Sequence, residues 1–226
     1  KSGSAVDVGD LNNDGIDDLV IGSEEANTPG CVSPFDCGGV DIIFGPLNAS
    51  GEFKLTSPNI TVMGPTTNTQ VGSAAAVGDL NNDGANDLVV GAWKADPNSL
   101  SDAGESYVFW GPLVNGVGYN VSTANVTFFG AKSQSITTGA GGSVGVGDIN
   151  NDKIDDIVVG RSTATEVNTN DGITYVLYGP FNTQDAEINL SSANITYYGN
   201  ASQIRSGSSN AVKDINNDGI NDLLIG

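Results

Sequence analysis

The stretch GDLNNDGIDDLVIG, residues 9–22, recurs three more times along this chain with only small changes. The further copies are GDLNNDGANDLVVG (78–91), GDINNDKIDDIVVG (147–160) and KDINNDGINDLLIG (213–226). Their leading aspartates, at positions 10, 79, 148 and 214, are separated by 69, 69 and 66 residues. A sequence that repeats itself at a nearly fixed period indicates an architecture in which one structural unit is used several times.

Two further elements recur in the same order within each period. The first reads VDIIFGP (40–46), SYVFWGP (106–112) and TYVLYGP (174–180), and the second reads NITVMG (59–64), NVTFFG (125–130) and NITYYG (194–199). Because the acidic stretch and both elements keep their order, a whole architectural unit is repeated and not only a short motif.

Short β-branched and aromatic runs separated by Gly, Pro, Asn and Asp indicate strands and tight turns in each unit. In the second unit these runs are 72–78, 87–91, 106–110 and 126–130. No run has the length and the i, i+3, i+4 apolar spacing of a helix. The run before the acidic stretch is built from small residues (GSAVDVG, GSAAAVG and GGSVGVG), which suits a crowded innermost strand near a propeller axis. The sequence therefore predicts an all-β fold of β-propeller blades, each with four antiparallel strands.

Composition argues against several classes of function. The 226 residues include 8 basic and 27 acidic side chains, no histidine, and a formal net charge of −19. We expect no nucleic-acid partner, because phosphate recognition needs clustered Lys and Arg. A chain without histidine has neither a His-based catalytic triad nor a His zinc site. No apolar run approaches the roughly 18 residues that indicate a membrane span.

The acidic loops have the spacing Asp-x-Asn-x-Asp-Gly-x-x-Asp, so that alternate residues of a tight turn can direct oxygen atoms at one centre. Oxygen-only donors select a hard cation, and Ca²⁺ tolerates about six or seven of them in irregular geometry, whereas Mg²⁺ requires a small octahedron. Four Ca²⁺ ions carry eight positive charges and would change the formal charge from −19 to −11. The predicted ligands, with the seventh residue acting through its carbonyl, are Asp10, Asn12, Asp14, Ile16, Asp18; Asp79, Asn81, Asp83, Ala85, Asp87; Asp148, Asn150, Asp152, Ile154, Asp156; and Asp214, Asn216, Asp218, Ile220, Asp222.

These loops are not EF-hands. Their flanks are strand-like, and the twelfth position, where an EF-hand has a bidentate Glu, holds Ile21, Val90, Val159 and Ile225. The alternative interpretation is a set of hairpin turns that bind nothing, since Asn, Asp and Gly favour turns in any case; four copies in register favour the metal site. The third site is predicted to be the weakest, because Lys153 replaces the turn Gly and a positive φ there costs about 1 kcal/mol.

At this point the pattern resembles the FG-GAP repeat of integrin α-subunit β-propellers and of bacterial and archaeal surface proteins built from the same unit. The resemblance covers nearly the whole chain and implies blades at about 1–70, 71–139 and 140–206, with half of a fourth blade at 207–226. Propellers typically have about four to eight blades. We therefore expect the chain to be a fragment of a larger propeller, or to complete itself through neighbours.

The resemblance also implies where function lies. In that family the acidic loop joins the first, innermost strand of a blade to the second, on one face of the propeller. Ligand-binding loops lie on the opposite face, between strands two and three and between successive blades.

The two cysteines, Cys31 and Cys37, lie in the predicted loop between the second and third strands of the first unit. Two cysteines six residues apart, in a chain without histidine, are too few for a zinc site. We expect a local disulfide, which indicates an oxidising compartment. The alternative is a pair of free thiols in a cytosolic loop.

Asn-x-Ser/Thr sequons provide candidate glycosylation sites, and three of them, at 59, 125 and 194, are repeat-equivalent. Each of these three opens the run that is predicted to be the outermost strand. We hypothesise that glycans at these positions shield exposed strand edges. The seven sequons are Asn48, Asn59, Asn120, Asn125, Asn189, Asn194 and Asn200.

The sequence thus predicts a non-enzymatic, calcium-binding module for adhesion, recognition or surface scaffolding, located outside the cell or on its surface. Its expected partners are an extracellular protein or glycan ligand, or further copies of itself. Two alternatives are an accessory propeller of a secreted polysaccharide-active enzyme and a structural subunit of a fibre assembled through open strand edges. No catalytic constellation stands out, although paired acids could hydrolyse glycosides.

Overall fold

A computed structural model describes residues 3–27, 31, 36–47, 57–65, 68–130, 141–165 and 169–226. Short strands dominate these residues, and the only helical elements among them are three single 3₁₀ turns at Pro97–Ser99, Val121–Thr123 and Leu190–Ser192. The strands are β1 (Val6–Gly9), β2 (Asp18–Ser23), β3 (Gly39–Ile43), β4 (Ile60–Met63), β5 (Val71–Gly78), β6 (Asp87–Ala92), β7 (Glu105–Phe109), β8 (Tyr119–Asn120), β9 (Val126–Phe129), β10 (Ser143–Gly147), β11 (Asp156–Arg161), β12 (Ile173–Leu177), β13 (Ala186–Asn189), β14 (Ile195–Tyr198), β15 (Asn210–Lys213) and β16 (Asp222–Ile225).

Antiparallel pairing joins the main strands of each repeat in chain order. The first three sheets contain β1–β2–β3–β4, β5–β6–β7–β9 and β10–β11–β12–β14, and β15 pairs with β16 in a fourth, two-stranded sheet. This topology confirms the predicted all-β fold with blades of four antiparallel strands. The blade boundaries proposed from the sequence remain a prediction.

The four sheets stand side by side, and the first strand of each contacts the first strand of the next. Small residues permit this approach. A Cβ added to Gly9 would lie 2.5 Å from Cγ1 of Val77, and one added to Gly147 would lie 2.7 Å from Cγ1 of Val212. The small-residue runs are therefore the innermost strands, as predicted.

Two apolar cores fill the spaces between adjacent sheets. The core between the first and second sheets includes Ile42 and Phe109, and the core between the second and third includes Phe128 and Ile157. Each of these side chains is at most 1% exposed, and burial of one such side chain stabilises the fold by about 1.5–3 kcal/mol. Strand β6 is buried along its whole length because alternate residues contribute to opposite cores.

A fifth strand, parallel to its neighbour, extends two of the sheets and was not predicted from the sequence. Strand β8 pairs with β4, and β13 pairs with β9; each comes from the connection between the third and fourth main strands of the following repeat. An edge strand presents unpaired N–H and C=O groups, and this segment pairs them. The expectation that Asn59 and Asn125 open outermost, exposed strands is therefore wrong for these two sheets.

Candidate metal centres

The four acidic loops occupy equivalent places in the fold. Each joins the first strand of its sheet to the second, so the Gly or Lys before the loop pairs directly with the ninth-position aspartate: Gly9 with Asp18, Gly78 with Asp87, Gly147 with Asp156 and Lys213 with Asp222. Strand pairing therefore closes each loop at its base, between the residue that precedes the loop and its ninth residue.

Hydrogen bonds within the first loop hold its side-chain oxygens on the inside of the turn. The carboxylate of Asp10 accepts from the backbone N–H groups of Asp14 and Gly15, at 3.1 and 2.8 Å. The Asn12 side-chain oxygen accepts from the Asp14 N–H at 2.9 Å, and the Asp14 carboxylate accepts from the Ile16 N–H at 2.9 Å. The first, third and fifth side chains are thereby ordered around the same short stretch of backbone.

The same pattern recurs in the other three loops. The N–H of the fifth residue donates to the first and third side chains, that of the sixth donates to the first, and that of the seventh donates to the fifth. The fourth residue, always Asn, has a positive φ of 60–63°. Lys153 at the sixth position of the third loop also has a positive φ, 73°, as the sequence predicted. One backbone conformation therefore serves all four copies.

The ninth aspartate anchors the loop to the rest of its sheet. Asp87 is fully buried; one of its carboxylate oxygens accepts from the N–H of Leu80, the second loop residue, and the other from the N–H of Gly111. Gly111 precedes a cis proline at the end of the third main strand. The ninth aspartates of the first and third loops make the corresponding contacts. The recurring Gly-Pro therefore has a partner in the acidic loop, a relationship that the sequence analysis missed.

The acidic side chains of a loop interact electrostatically. The pKa of Asp87 is raised to about 7, mainly by burial; donation by the N–H groups of Gly111 and Leu80 lowers it, and the charges of Asp83 and Asp79 add to the rise. Burial also raises the pKa of the ninth aspartates of the first and third loops, each with a contribution from the fifth-position aspartate. Concentrated negative charge of this kind is relieved by a proton or by a cation.

The donor chemistry of the loops fits a hard divalent cation. Each loop offers three carboxylates, one amide oxygen and one main-chain carbonyl, with no sulfur or nitrogen ligand. In the part of the chain that the structure describes, no three His, Cys, Asp or Glu side chains already stand close enough together to hold a metal ion. The loop oxygens are instead turned toward the backbone N–H groups of their own turn. Calcium ligation is therefore argued below as a proposal.

The predicted disulfide is present. Cys31 and Cys37 are bonded, with their Cα atoms 5.9 Å apart, in the connection between β2 and β3. The carbonyl of Cys37, which is buried, accepts a hydrogen bond from the N–H of Val71 at 3.0 Å. The disulfide therefore braces the point where the first sheet meets the first strand of the second.

The repeat-equivalent sequon asparagines have structural partners. The side-chain oxygens of Asn59, Asn125 and Asn194 each accept from the N–H of the residue that precedes Gly-Pro, at 2.8–2.9 Å. Asn120 and Asn189 cap the 3₁₀ turns that follow them, and Asn200 is exposed. Asn48 lies outside the described residues. Glycosylation at these positions remains a prediction.

Comparison with known proteins identifies the repeat. The sequence model of the FG-GAP repeat family matches residues 2–30, 71–109 and 140–177. These ranges contain the first three acidic loops together with the strands on either side of them. The fourth loop, at 214–222, lies outside the matched ranges although it has the same hydrogen-bond pattern.

Two kinds of relative have similar sequences. Phosphatidylinositol-glycan-specific phospholipase D of Homo sapiens is 32% identical over 205 residues, which are 88% of this chain and 23% of that protein. The Bos taurus protein of the same name is 30% identical over 200 residues. Integrin alpha-3 of Mus musculus is 33% identical over 96 residues, which are 40% of this chain and 8% of the integrin. The chain thus spans less than a quarter of the length of these phospholipases.

Proposed function

We propose, on the premise that this chain is built from FG-GAP repeats, that it is a non-enzymatic recognition or adhesion module that binds up to four Ca²⁺ ions outside the cell. The observation that carries the proposal is the recurrence, in four loops, of one hydrogen-bond pattern around an oxygen-only donor set. Turns without a ligand need no particular set of acids, whereas a shared ligand explains why carboxylates recur at the first, fifth and ninth positions.

Bound calcium would supply positive charge that offsets the mutual repulsion of the loop carboxylates. Hydrogen bonds within the chain hold the loop in place. The ninth aspartate ties the loop to the third main strand through the Gly N–H, and the first aspartate closes the turn on the fifth and sixth N–H groups. Ion binding would therefore stabilise the connection between the first and second strands of each blade.

The proposed location outside the cell rests on the disulfide and on the expected affinity of the loops. A disulfide persists in oxidising compartments and is rare in the cytosol, and Cys31 is bonded to Cys37. Extracellular calcium modules bind with dissociation constants of about 10⁻⁴–10⁻³ M, which matches sites that fill outside a cell and empty inside it. No helix among the described residues is long and apolar enough to span a membrane.

A protein or glycan partner is proposed for the end of the sheets opposite the acidic loops. The similarity to integrin alpha-3 supports such a partner. At that end, Trp93 donates from Nε1 to the Glu24 carboxylate at 3.4 Å, joining the loops of two successive sheets, and Lys94 lies 4.8 Å from the centre of the Trp93 ring. An aromatic ring held between a carboxylate and an ammonium offers both stacking and charge to a ligand.

The similarity to phosphatidylinositol-glycan-specific phospholipase D over most of this chain supports a second role, an accessory module of a secreted hydrolase. The two roles differ in what deletion does to a full-length protein. In an accessory module, removal of these residues lowers hydrolysis by a catalytic region elsewhere. In an adhesion module, removal abolishes attachment of the protein to its ligand.

Calorimetric titration of EGTA-stripped protein with Ca²⁺ tests the metal proposal. We expect up to four sites, and we expect one site to be lost when Asp83 and Asp87 are both changed to Asn. The matched control is Asp17→Asn. Asp17 is exposed and is not a predicted ligand, and the equivalent position is already Asn in the second and fourth loops. Absence of calcium-dependent heat in the unmodified protein, or equal loss of binding in the control, contradicts the proposal.

A further inference from the structure

The first three acidic loops are joined in succession by direct hydrogen bonds through the residue before the ninth aspartate. In the second loop, Nδ2 of Asn86 donates to the main-chain carbonyl of Asp10, the first residue of the first loop, at 3.2 Å. In the third loop, a carboxylate oxygen of Asp155 accepts from the N–H of Asp79, the first residue of the second loop, at 2.9 Å. The second and third loops therefore each contact the backbone of a predicted calcium ligand in the loop before them.

A second connection runs through the Gly-Pro turn. The N–H of Gly111 donates to Asp87 in the second loop, and two residues later the N–H of Leu113 donates to the carbonyl of Leu11 in the first loop at 2.7 Å. The third repeat copies this path: Gly179 donates to the ninth aspartate of the third loop, and the N–H of Phe181 donates to the carbonyl of Leu80 at 2.8 Å.

The two connections have a common consequence for the position of the loops. The ninth aspartate of one loop is covalently next to Asn86 or Asp155, and it is hydrogen-bonded to the Gly-Pro turn. The neighbouring side chain and the Gly-Pro turn both form hydrogen bonds with the first two residues of the preceding loop. A displacement of the ninth aspartate is therefore transmitted to the backbone of the neighbouring first aspartate along two short paths.

We propose that Asn86 and Asp155 are positioning residues that couple successive calcium loops, so that occupation of one loop raises the affinity of its neighbour. This inference rests on the calcium binding proposed above. Coupling between two sites is reciprocal, and it typically changes affinity by a factor of about 5–150. Because the connections run from the second loop to the first and from the third loop to the second, coupling is expected within these two pairs.

The glycines that precede the first two loops lie directly beside these side chains. A Cβ added to Gly78 would lie 2.6 Å from the Asp155 carboxylate oxygen, and one added to Gly9 would lie 3.5 Å from Nδ2 of Asn86. At Gly78 the carboxylate of Asp155 therefore occupies space that a side chain would restrict, whereas the 3.5 Å distance at Gly9 is an ordinary van der Waals contact.

Residue-resolved NMR measures this coupling. The backbone amides of Gly15 and Gly84, at the sixth positions of the first two loops, report separately on loops one and two during a Ca²⁺ titration. We expect the double variant Asp83→Asn with Asp87→Asn, which disables the second loop, to weaken calcium binding at Gly15 about fivefold or more. In an Asn86→Ala background the same double substitution should have a markedly smaller effect at Gly15.

Two further variants separate coupling from simple loss of stability. Asp155→Asn keeps an oxygen acceptor for the Asp79 N–H and should preserve coupling between the second and third loops, whereas Asp155→Ala should reduce it. Asp17→Asn, the equivalent position in the first loop, should leave all coupling unchanged.

The outcomes distinguish the two proposals. If Gly15 and Gly84 titrate with calcium and disabling the second loop leaves the affinity at Gly15 unchanged, the coupling is wrong and the calcium proposal stands. If neither amide responds to calcium in the unmodified protein, both proposals are wrong.

Discussion

The hydroxyl of Tyr107 donates a hydrogen bond to the carboxylate of Glu105, two residues earlier on the same strand of the second sheet. Burial raises the pKa of Glu105; the hydrogen bond from Tyr107 opposes this, and the negative charges of Glu187 and Asp96 raise the pKa further. A carboxyl whose pKa is raised by folding is more easily ionised in the unfolded chain. Its contribution to stability therefore falls as the pH rises from about 4 toward neutrality.

Glu105→Gln should consequently stabilise the protein at pH 7. Gln keeps an oxygen that can accept from Tyr107 and removes the ionised carboxylate from its acidic neighbours. We expect a higher melting temperature than that of the unmodified protein at pH 7, and a difference that shrinks toward pH 4. Thermal melts at the two pH values in the same salt measure this. An equal difference at both pH values, or destabilisation at pH 7, contradicts the electrostatic argument.

Gly9→Ala should destabilise the junction between the first two sheets. The new Cβ would lie 2.5 Å from Cγ1 of Val77, and forcing atoms into a packed contact costs about 1–3 kcal/mol. Urea unfolding measures the loss. Gly118→Ala is the matched control, because a Cβ there meets no atom within 4 Å. Equal stability of the two variants would show that the first strands are not as closely packed as described.

Asn125 has a structural role that is separable from its sequon. Its side-chain oxygen accepts from the N–H of Trp110 at 2.8 Å. Asn125→Ala leaves that N–H without a protein acceptor and should cost about 1 kcal/mol, whereas Asn125→Asp keeps an acceptor while it abolishes the sequon. We expect unglycosylated Asn125→Asp to unfold at a higher urea concentration than Asn125→Ala. The reverse order would exclude this role for the acceptor oxygen.

Removing the disulfide should lower stability without changing the fold. The bridge joins two cysteines that are six positions apart in the sequence, and the loss of such a short cross-link costs about 2 kcal/mol in the chain-entropy description. The variant with both cysteines changed to Ser should unfold at lower urea concentration and keep its circular dichroism spectrum. A reducing agent should destabilise the unmodified protein and leave the variant unaffected; sensitivity of the variant to the reductant would point to a different cause.

Much of the fold could be predicted because its determinants are local. The acidic loops, the small residues before them and the Gly-Pro turns recur at fixed offsets, so one unit predicts the others. The parallel strands β8 and β13 could not be predicted, because each has only two to four residues and pairs with a different repeat. Such pairing depends on the relative position of neighbouring blades, which local strand propensity does not encode.

The candidate site shows the same division. The positions of the first, third, fifth and ninth loop residues follow from their spacing, and positive φ at Lys153 follows from its place in the turn. The contact from Asn86 to Asp10 joins residues 76 positions apart, and no periodicity marks it. The role of the asparagine that opens each fourth main strand did have a signal in the sequence, since this asparagine recurs 15 or 16 residues after the residue that precedes Gly-Pro. The sequon, however, offered a competing interpretation.

Thermal unfolding with and without calcium tests the central claim most directly. The chain should melt at a higher temperature in millimolar Ca²⁺ than in excess EGTA, because each ion that binds only the folded state stabilises it by about 1.4 kcal/mol at a tenfold excess over the dissociation constant. Millimolar Mg²⁺ should stabilise it less, since the loops lack the compact octahedral geometry that Mg²⁺ requires. Identical melting curves in Ca²⁺ and in EGTA would contradict the assignment of the acidic loops as calcium sites.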